Sequence, residues 1–503
     1  MKRKSLAILA TSFVGILALT SCGDETNSSN ASGSDVTSLD DGDIQRDDDG
    51  NIIYNNVNLK MWAVTTGDDA NTQDSIIAGF NDAYNGMIKV STEHISRYDM
   101  ETRLSSTMSF DRENAPDLLF THGARAATYN SNGWLQPIEP YATKADVLID
   151  KDDYVASLLD AVTLSGRIYG LPQDVHSGMI EVRTDILEKN GLSIPKNYSE
   201  LVTISEQAIS LAKEGNLWIR GVNSDGIGTT TWRKASSLSQ YYPFPISYGD
   251  MWVHEFFGYT AALQNGGKII DENGYPAWDS NEVAAGLQVL RDWVNPTSGA
   301  TNTHALSQNY GSGYDVGYTP FLRGDAIFKL NGPWEWAKDV NEFENEFKSD
   351  GGASNIETMN LSSILAKDSS KDYARYVKGE GHAFMLLSTV KSMTKASAAM
   401  VFADYMVNNA GITWAQRGHL PSLKSIENSS EYKDNEIYTN LISKWGTADD
   451  YQVIQPTPYY DYIDSYFKSA VSLALDANSM NKPIKQILDE KYQDCVDYIE
   501  LNL

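Results

Sequence analysis

Residues 57–90 read VNLKMWAVTTGDDANTQDSIIAGFNDAYNGMIKV, and this stretch decides the fold. Val57, Leu59, Met61 and Ala63 alternate with polar Asn58 and Lys60 as in a strand, while Trp62 on the opposite face implies that both faces are covered. A turn is expected at Thr66–Asp69, after which Thr72 caps a helix with Ile76, Ile77, Phe80 and Tyr84 at helical spacing. The apolar run Ile88–Val90 marks a second strand, a polar helix starts near Asp99, and Pro116–Phe120 makes a third strand. Strands alternating with helices specify a parallel sheet, whose ligands gather where the carboxyl ends of strands meet loops. Trp62, Asp68, Asp69, Thr121 and His122 all stand at such ends.

Upstream, Lys2, Arg3 and Lys4 precede an apolar run from Leu6 to Leu19, the layout of a secretory signal and too short for a membrane span. Leu19, Thr20, Ser21 and Cys22 resemble the box at which bacterial lipoproteins are cleaved and acylated, so Cys22 is the expected lipidation site. Such an anchor carries more than one acyl chain, as stable membrane attachment requires. Residues 22–54 are mostly Asp, Ser, Asn, Gly and Thr, too poor in apolar surface to offset the entropy of folding, and are expected to form an acidic, disordered tether. Asp47, Asp48 and Asp49 do not make a calcium loop, because Gln45 and Asn56 stand where acidic ligands are needed. The other cysteine, Cys495, is expected as an inert thiol in the last helix.

Without residues 1–21, 37 basic residues face 67 acidic ones, a balance that disfavours nucleic acid and anionic lipid headgroups. The roughly 450 residues beyond the tail are too many for one core, so at least two domains are expected. Between residues 216 and 320 strand signals are sparse and aromatics crowd in, among them Trp218, Trp232, Tyr241, Tyr242, Trp252, Phe256, Tyr310 and Tyr314. This region is expected to be the helical, aromatic-rich part of a second lobe.

Four stretches carry a family resemblance. They are Ala115-Pro116-Asp117-Leu118-Leu119 with Gly133-Trp134-Leu135-Gln136-Pro137; Ser165 to Pro172 with Asp185-Ile186-Leu187; Arg323 to Ile327 leading into Asn331-Gly332-Pro333-Trp334-Glu335-Trp336; and Ala398 to Val407 with Arg417-Gly418-His419-Leu420-Pro421. Their order and spacing resemble the family 1 extracellular solute-binding proteins of ABC importers, which include maltose-binding protein. The resemblance implies an α/β, two-lobed periplasmic-binding-protein-like fold of type II, with mixed, mostly parallel sheets, flanking helices and a hinged cleft. It places chain crossings near Asp174–Ser177, Gly381–Leu386 and Trp445–Asp450. The expected division is 55–175 and 385–448 in one lobe, 176–384 and 449–503 in the other.

A sugar site needs polar side chains for hydroxyls and flat aromatics for the CH face. The resemblance puts Trp334 where the family stacks a sugar, with Trp336 beside it turned either way. Trp62 serves core packing or cleft lining. Asp68 and Asp69 match a Gly-Asp pair that reaches sugar hydroxyls in maltose-binding relatives, or they cap a helix. His122 and Arg125 follow the strand that carries the family's polar clamp, but Ala124 replaces its acidic residue, which argues against maltose itself. His176 takes a glutamate slot, two residues after Asp174, as a ligand contact or a hinge residue. Trp232 sits among the core aromatics or touches ligand; Tyr459 and Tyr460, with Tyr462, match a late loop sent into the cleft. Arg417, with His419, either contacts ligand or pairs with a surface carboxylate.

These readings point to a lipid-anchored, monomeric receptor for a neutral oligosaccharide, on the outer face of a bacterial cytoplasmic membrane, partnered by an ABC permease. No catalytic residue is assigned: nucleophile-elbow, phosphate-loop and HExxH motifs are absent, though a glycoside hydrolase with two carboxylates is a rival. A same-fold receptor for a polyamine or peptide is the other. The seven histidines are scattered along the chain, so neither a metal site nor a cofactor is expected.

Overall fold

The structure, a computed structural model, describes residues 44–502 apart from 225–227, 236–240, 248, 250–252, 295–305, 308–316, 360, 435–449 and 480. Cys22, Trp252, Tyr310, Tyr314 and the crossing expected at Trp445 lie outside the described residues.

The opening stretch forms strand β1 (Val57–Ala63), helix α1 (Gly67–Ala83) and strand β2 (Ile88–His94). Helix α2 (Arg97–Phe110) and strand β3 (Leu118–His122) follow. β2, β1 and β3 pair in parallel. The sheet is completed by β4 (Gly170–Pro172) and by a late strand, His382–Leu386, that runs antiparallel between β3 and β4. α1 starts at Gly67 rather than after a separate turn. Gly67 holds φ at 57°, a left-handed value glycine tolerates, and Asp68 and Asp69 in the first turn complement the helix dipole. α1 buries Ile76, Ile77 and Phe80, and Phe80 packs edge-on to Phe402, 5.0 Å between ring centres. Each such buried side chain contributes about 1.5–3 kcal/mol.

A second sheet has β5 (Met179–Arg183) at its centre, antiparallel to β6 (Phe328–Asn331) and β7 (Ile356–Met359). The chain thus passes from the first sheet at Pro172 to the second at Met179, and returns to the first in the strand at His382–Leu386, here β8. The boundary expected between Phe384 and Met385 falls inside β8, a strand belonging wholly to the first sheet. Further pairings tie the passing segments together: Asp174–Val175 with Leu420–Pro421, Val377–Gly379 with Tyr451–Val453, and His176 with Glu380.

Two sequence expectations are corrected here. Residues 44–54 are not an open tether: Arg46 and Ile52 form an antiparallel bridge, and Ile53 donates to the Gln45 carbonyl at 2.7 Å. The carboxylate of Asp47 closes the turn by accepting from the amides of Asp49 and Asn51, the local bonding that makes Asp a turn residue. The aromatic-rich region is not all helical either: Trp218–Val222 and Gly228–Lys234 make an antiparallel hairpin. The run Thr229-Thr230-Thr231-Trp232 has the β-branched and aromatic residues that suit a pleated surface. As expected, Cys495 is buried within helix Ile484–Leu501, and burial pushes its thiol up to about 12.

Candidate functional site

The cleft is built from the ends of the first sheet's strands. β1 runs out into Val64, Thr65, Thr66 and Gly67, and β2 leads to Ser96 and Arg97. Backbone register then gathers residues that are far apart in sequence. His122 at the end of β3 pairs with His382 at the start of β8, and His176 exchanges backbone hydrogen bonds with Glu380 at 2.7 and 2.9 Å. Residues two apart on an extended segment share a face, so Glu380 and His382 present their side chains together. Phe256, Trp334, Glu335 and Lys338 line the cavity from the second sheet's side, enclosing about 570 Å³.

Asp174 is the hub beneath the floor. It is fully buried and accepts from the Trp414 indole at 2.5 Å, the His382 amide at 3.1 Å, and Nδ1 of His382 and His176 at 3.0 and 3.3 Å. Burial would raise its pKa, but His382 and His419 outweigh that and hold Asp174 well below the usual carboxylate range. His419 lies between Asp174 and Asp69, with Nε2 3.2 Å from Asp69. Burial acts to lower His419, yet Asp174 and Asp69 together raise it, so the imidazolium is favoured. His176 is the opposite case, pushed down by burial to about 4 despite its bond to Asp174. Burial, reinforced by Arg97, likewise holds His122 well below the ordinary value.

A second group of charges closes the other end. Arg97 grips Glu255 with two hydrogen bonds, at 2.6 and 3.0 Å, so the segment after β2 is tied to Val253–Gly258 on the far side. Lys378 stands 2.8 Å from Glu380, whose other oxygen is 3.5 Å from His122 Nε2. Burial would raise Glu380, but Lys378 and Arg97 prevail and keep it ionised.

Trp334 supplies the indole of the cleft lining, with Phe256 beside it. Gly332 lets the indole fold back over its own turn, where any Cβ would sit inside van der Waals contact of the ring. The half-buried ring meets His176 edge-on at 5.4 Å and lies nearly parallel to His419 at 6.3 Å.

Of the residues expected at the site, Asp68, Asp69, His122, His176 and Trp334 line the cleft. Arg417 reaches Asp68 at 3.3 Å and the Trp334 carbonyl at 3.4 Å, so it braces the rim. Asp174 and Tyr460 act from below, Tyr460 donating to Glu380 at 3.3 Å. The remaining expectations are placed elsewhere. Trp62 is buried under Arg103, 4.3 Å from the ring centre, and does not line the cleft. Arg125 is committed to Asp461 and Glu101. Trp232 covers Arg220 at 4.0 Å, and Trp336 is buried at the first turn of its helix. Tyr459 packs on Tyr275 at 5.3 Å, and Tyr462 on Tyr498. Sequence reasoning missed Arg97, Phe256, Lys338, Glu380 and His382. Only Arg97 carried a signal, since it follows β2 as Asp68 follows β1.

The histidines are scattered in sequence but not in space: His122, His176, His382 and His419, four of the seven, converge on the cleft floor.

Comparison with known proteins agrees with this architecture. Residues 75–440 match the bacterial extracellular solute-binding proteins. The chain belongs to that family. Among solved structures, maltose-bound MalE3 of Thermotoga maritima is 16% identical with a TM-score of 0.63, the match covering 88% of this chain and 99% of that one. An ABC substrate-binding protein of Listeria monocytogenes in complex with cycloalternan is 15% identical with a TM-score of 0.64, covering 89% and 100%. A solute-binding protein of Thermotoga lettingae bound to α-D-tagatose is 18% identical at 0.61, covering 87% and 98%. This solute-binding protein therefore has the two-lobed, type II fold. Among its described residues no helix is long and apolar enough to cross a membrane.

Proposed function

We propose that this protein captures a neutral carbohydrate, an oligosaccharide, in the cleft and delivers it to the permease of an ABC importer, while Cys22 holds it by lipid to the outer face of a bacterial cytoplasmic membrane. The observation that carries the reading is the makeup of the lining. An indole face and Phe256 stand opposite hydroxyl-bearing Thr65, Thr66 and Ser96, with carboxylates and cations present together. Mixed donors and acceptors beside an aromatic plane suit a ring of hydroxyls with an apolar face. A polyamine site would be lined mainly by carboxylates, whereas Arg97 and Lys338 stand here beside Asp68, Asp69, Glu335 and Glu380. The cavity volume falls in the usual range for small ligands, about 300–1,000 Å³. Maltose, cycloalternan and α-D-tagatose in the similar solved proteins point the same way.

The protein acts as a monomeric receptor and releases its ligand unchanged. A thermal-shift screen over neutral glycans, followed by titration calorimetry of the hits, tests this. A ligand that binds only the folded state raises the melting temperature, and the bound glycan should be recovered intact. Release of shorter products would favour a glycoside hydrolase, and a response to polyamines or peptides alone would overturn the sugar reading. For the anchor, Cys22→Ser should move the protein from the membrane fraction to the soluble one with ligand affinity unchanged; retention in the membrane would refute it.

A further inference from the structure

We propose that His122, His176 and Glu380 form a binding site for one divalent transition-metal ion of the zinc class on the floor of the cleft. Each offers one ligand atom, and the three atoms lie within 4.8 Å of one another. With metal–nitrogen bonds of about 2.0 Å, neighbouring ligands of a tetrahedral ion stand about 3.3 Å apart. His122 Nε2 and Glu380 Oε2 are 3.5 Å apart, and the His122 and His176 ring centres are separated by 6.0 Å. Glu380 is 3% exposed, and Oε2 accepts no hydrogen bond among the described residues. Arg97, 3.7 Å from that oxygen, is turned to Glu255 by its two hydrogen bonds. An ionised, buried oxygen without a hydrogen bond, facing two imidazoles, is a position a cation completes.

The surroundings prepare the ligands. Asp174 accepts from His176 Nδ1, which fixes the proton there and leaves the lone pair on Nε2, the carboxylate–histidine arrangement found behind metal ligands. Burial keeps His122 and His176 neutral, the form that binds metal. Two imidazoles and one carboxylate select a borderline divalent ion such as zinc or cobalt over calcium or magnesium, which prefer oxygen ligands alone. Three protein ligands leave a position open towards the cavity for water or a ligand hydroxyl. A neighbouring set, Asp174, His176, His382 and His419, is also close enough together. It is better explained as a hydrogen-bonded hub, because Asp174 already accepts from Trp414, His382 and His176, and His419 Nε2 is engaged by Asp69.

The test needs no carbohydrate. Chelator-stripped protein is titrated with zinc by calorimetry, and cobalt is added to read its visible d–d absorption. The expected result is one ion per chain, with affinity falling by more than about a hundredfold in His122→Asn and in Glu380→Gln, together with loss of the cobalt bands. His94→Asn, at a partly exposed histidine paired with Asp74, should change nothing. Metal-free melting of each variant establishes that it is folded; because Glu380 also braces Lys378, His122→Asn carries the decision if Glu380→Gln unfolds. No binding by the wild-type protein, or binding that survives intact in folded His122→Asn, would overturn the proposal.

Discussion

Around Asp185 the carboxylate and its two guanidinium partners are closed by hydrogen bonds, whereas around Glu380 and His419 the side chains are paired but several of their polar atoms carry no hydrogen bond. In the second lobe, Asp185 accepts from Arg183 at 2.7 and 2.8 Å, from Arg220 at 2.8 Å and from the Ile186 amide at 2.9 Å. Arg183 turns its remaining nitrogen to the Phe321 carbonyl, and Arg220 pairs with Asp350. In the cleft, Glu380 Oε2 and His419 Nδ1 have no hydrogen bond among the described residues, and Asp69 Oδ1 and Arg417 Nε, also without one, face each other as a loose ion pair at 3.5 Å. Both clusters are buried, so burial does not distinguish them. Completion does. A closed cluster is scaffolding, and an incomplete one is where a ligand supplies the missing bonds.

The largest expected effect follows from the closed cluster. Asp185→Ala leaves two buried guanidinium groups without their carboxylate and should destabilise the protein by about 3–5 kcal/mol, read from denaturant unfolding, with ligand affinity unchanged in the folded fraction. Burial tends to raise Asp185, but Arg183 and Arg220 prevail and hold it below the ordinary carboxylate value. The sign follows: its contribution is complete above the unfolded value of about 3.9 and is lost as pH falls through the lower folded one. Asp185→Asn should therefore flatten that part of the acid unfolding curve. A ligand-affinity loss as large as the stability loss would break the contrast between the clusters.

Trp334→Ala is the next in size and tests the other side. Losing an aromatic face worth about 1.5–3 kcal/mol against a sugar ring should weaken binding roughly tenfold to a hundredfold. The ring is only half-buried, so ligand-free melting should change little. An unchanged dissociation constant with a collapsed melting temperature would make Trp334 a core residue.

The same contrast explains what could be read from sequence. The first three strands, the two-lobed fold and Trp334 in its Gly-Pro turn were legible, because they rest on local periodicity and on motifs contiguous in the chain. Trp62 was ambiguous because one residue's face on a two-sided strand depends on what covers each side; here α2 does so through Arg103. His382 and Glu380 were invisible because their neighbours come from register, His122 to His382 and His176 to Glu380, across about 200 residues or more of chain. The paired strands Trp218–Val222 and Gly228–Lys234 depart from the helical expectation because aromatic crowding has no period of its own, while the β-branched run at Thr229–Thr231 carries the strand signal.

Trp232→Ala gives the smallest expected effect and is the closest control for Trp334, since both are partly buried indoles in the second lobe. Trp232 does not line the cleft; its ring lies 4.0 Å from the Arg220 guanidinium and 5.2 Å from Lys189. A cation–π contact of this kind contributes about 0.5–2 kcal/mol, the upper value applying where the cation is desolvated, as Arg220 is. Its removal should lower the melting temperature slightly and leave the dissociation constant within twofold or so of the wild type, because Arg220 keeps its bonds to Asp185 and Asp350. Calorimetry and melting of Trp232→Ala beside Trp334→Ala therefore give crossed outcomes, stability without affinity for one and affinity without stability for the other. If both variants lost affinity alike, the ligand would extend over the hairpin face and the cleft would not be the whole site.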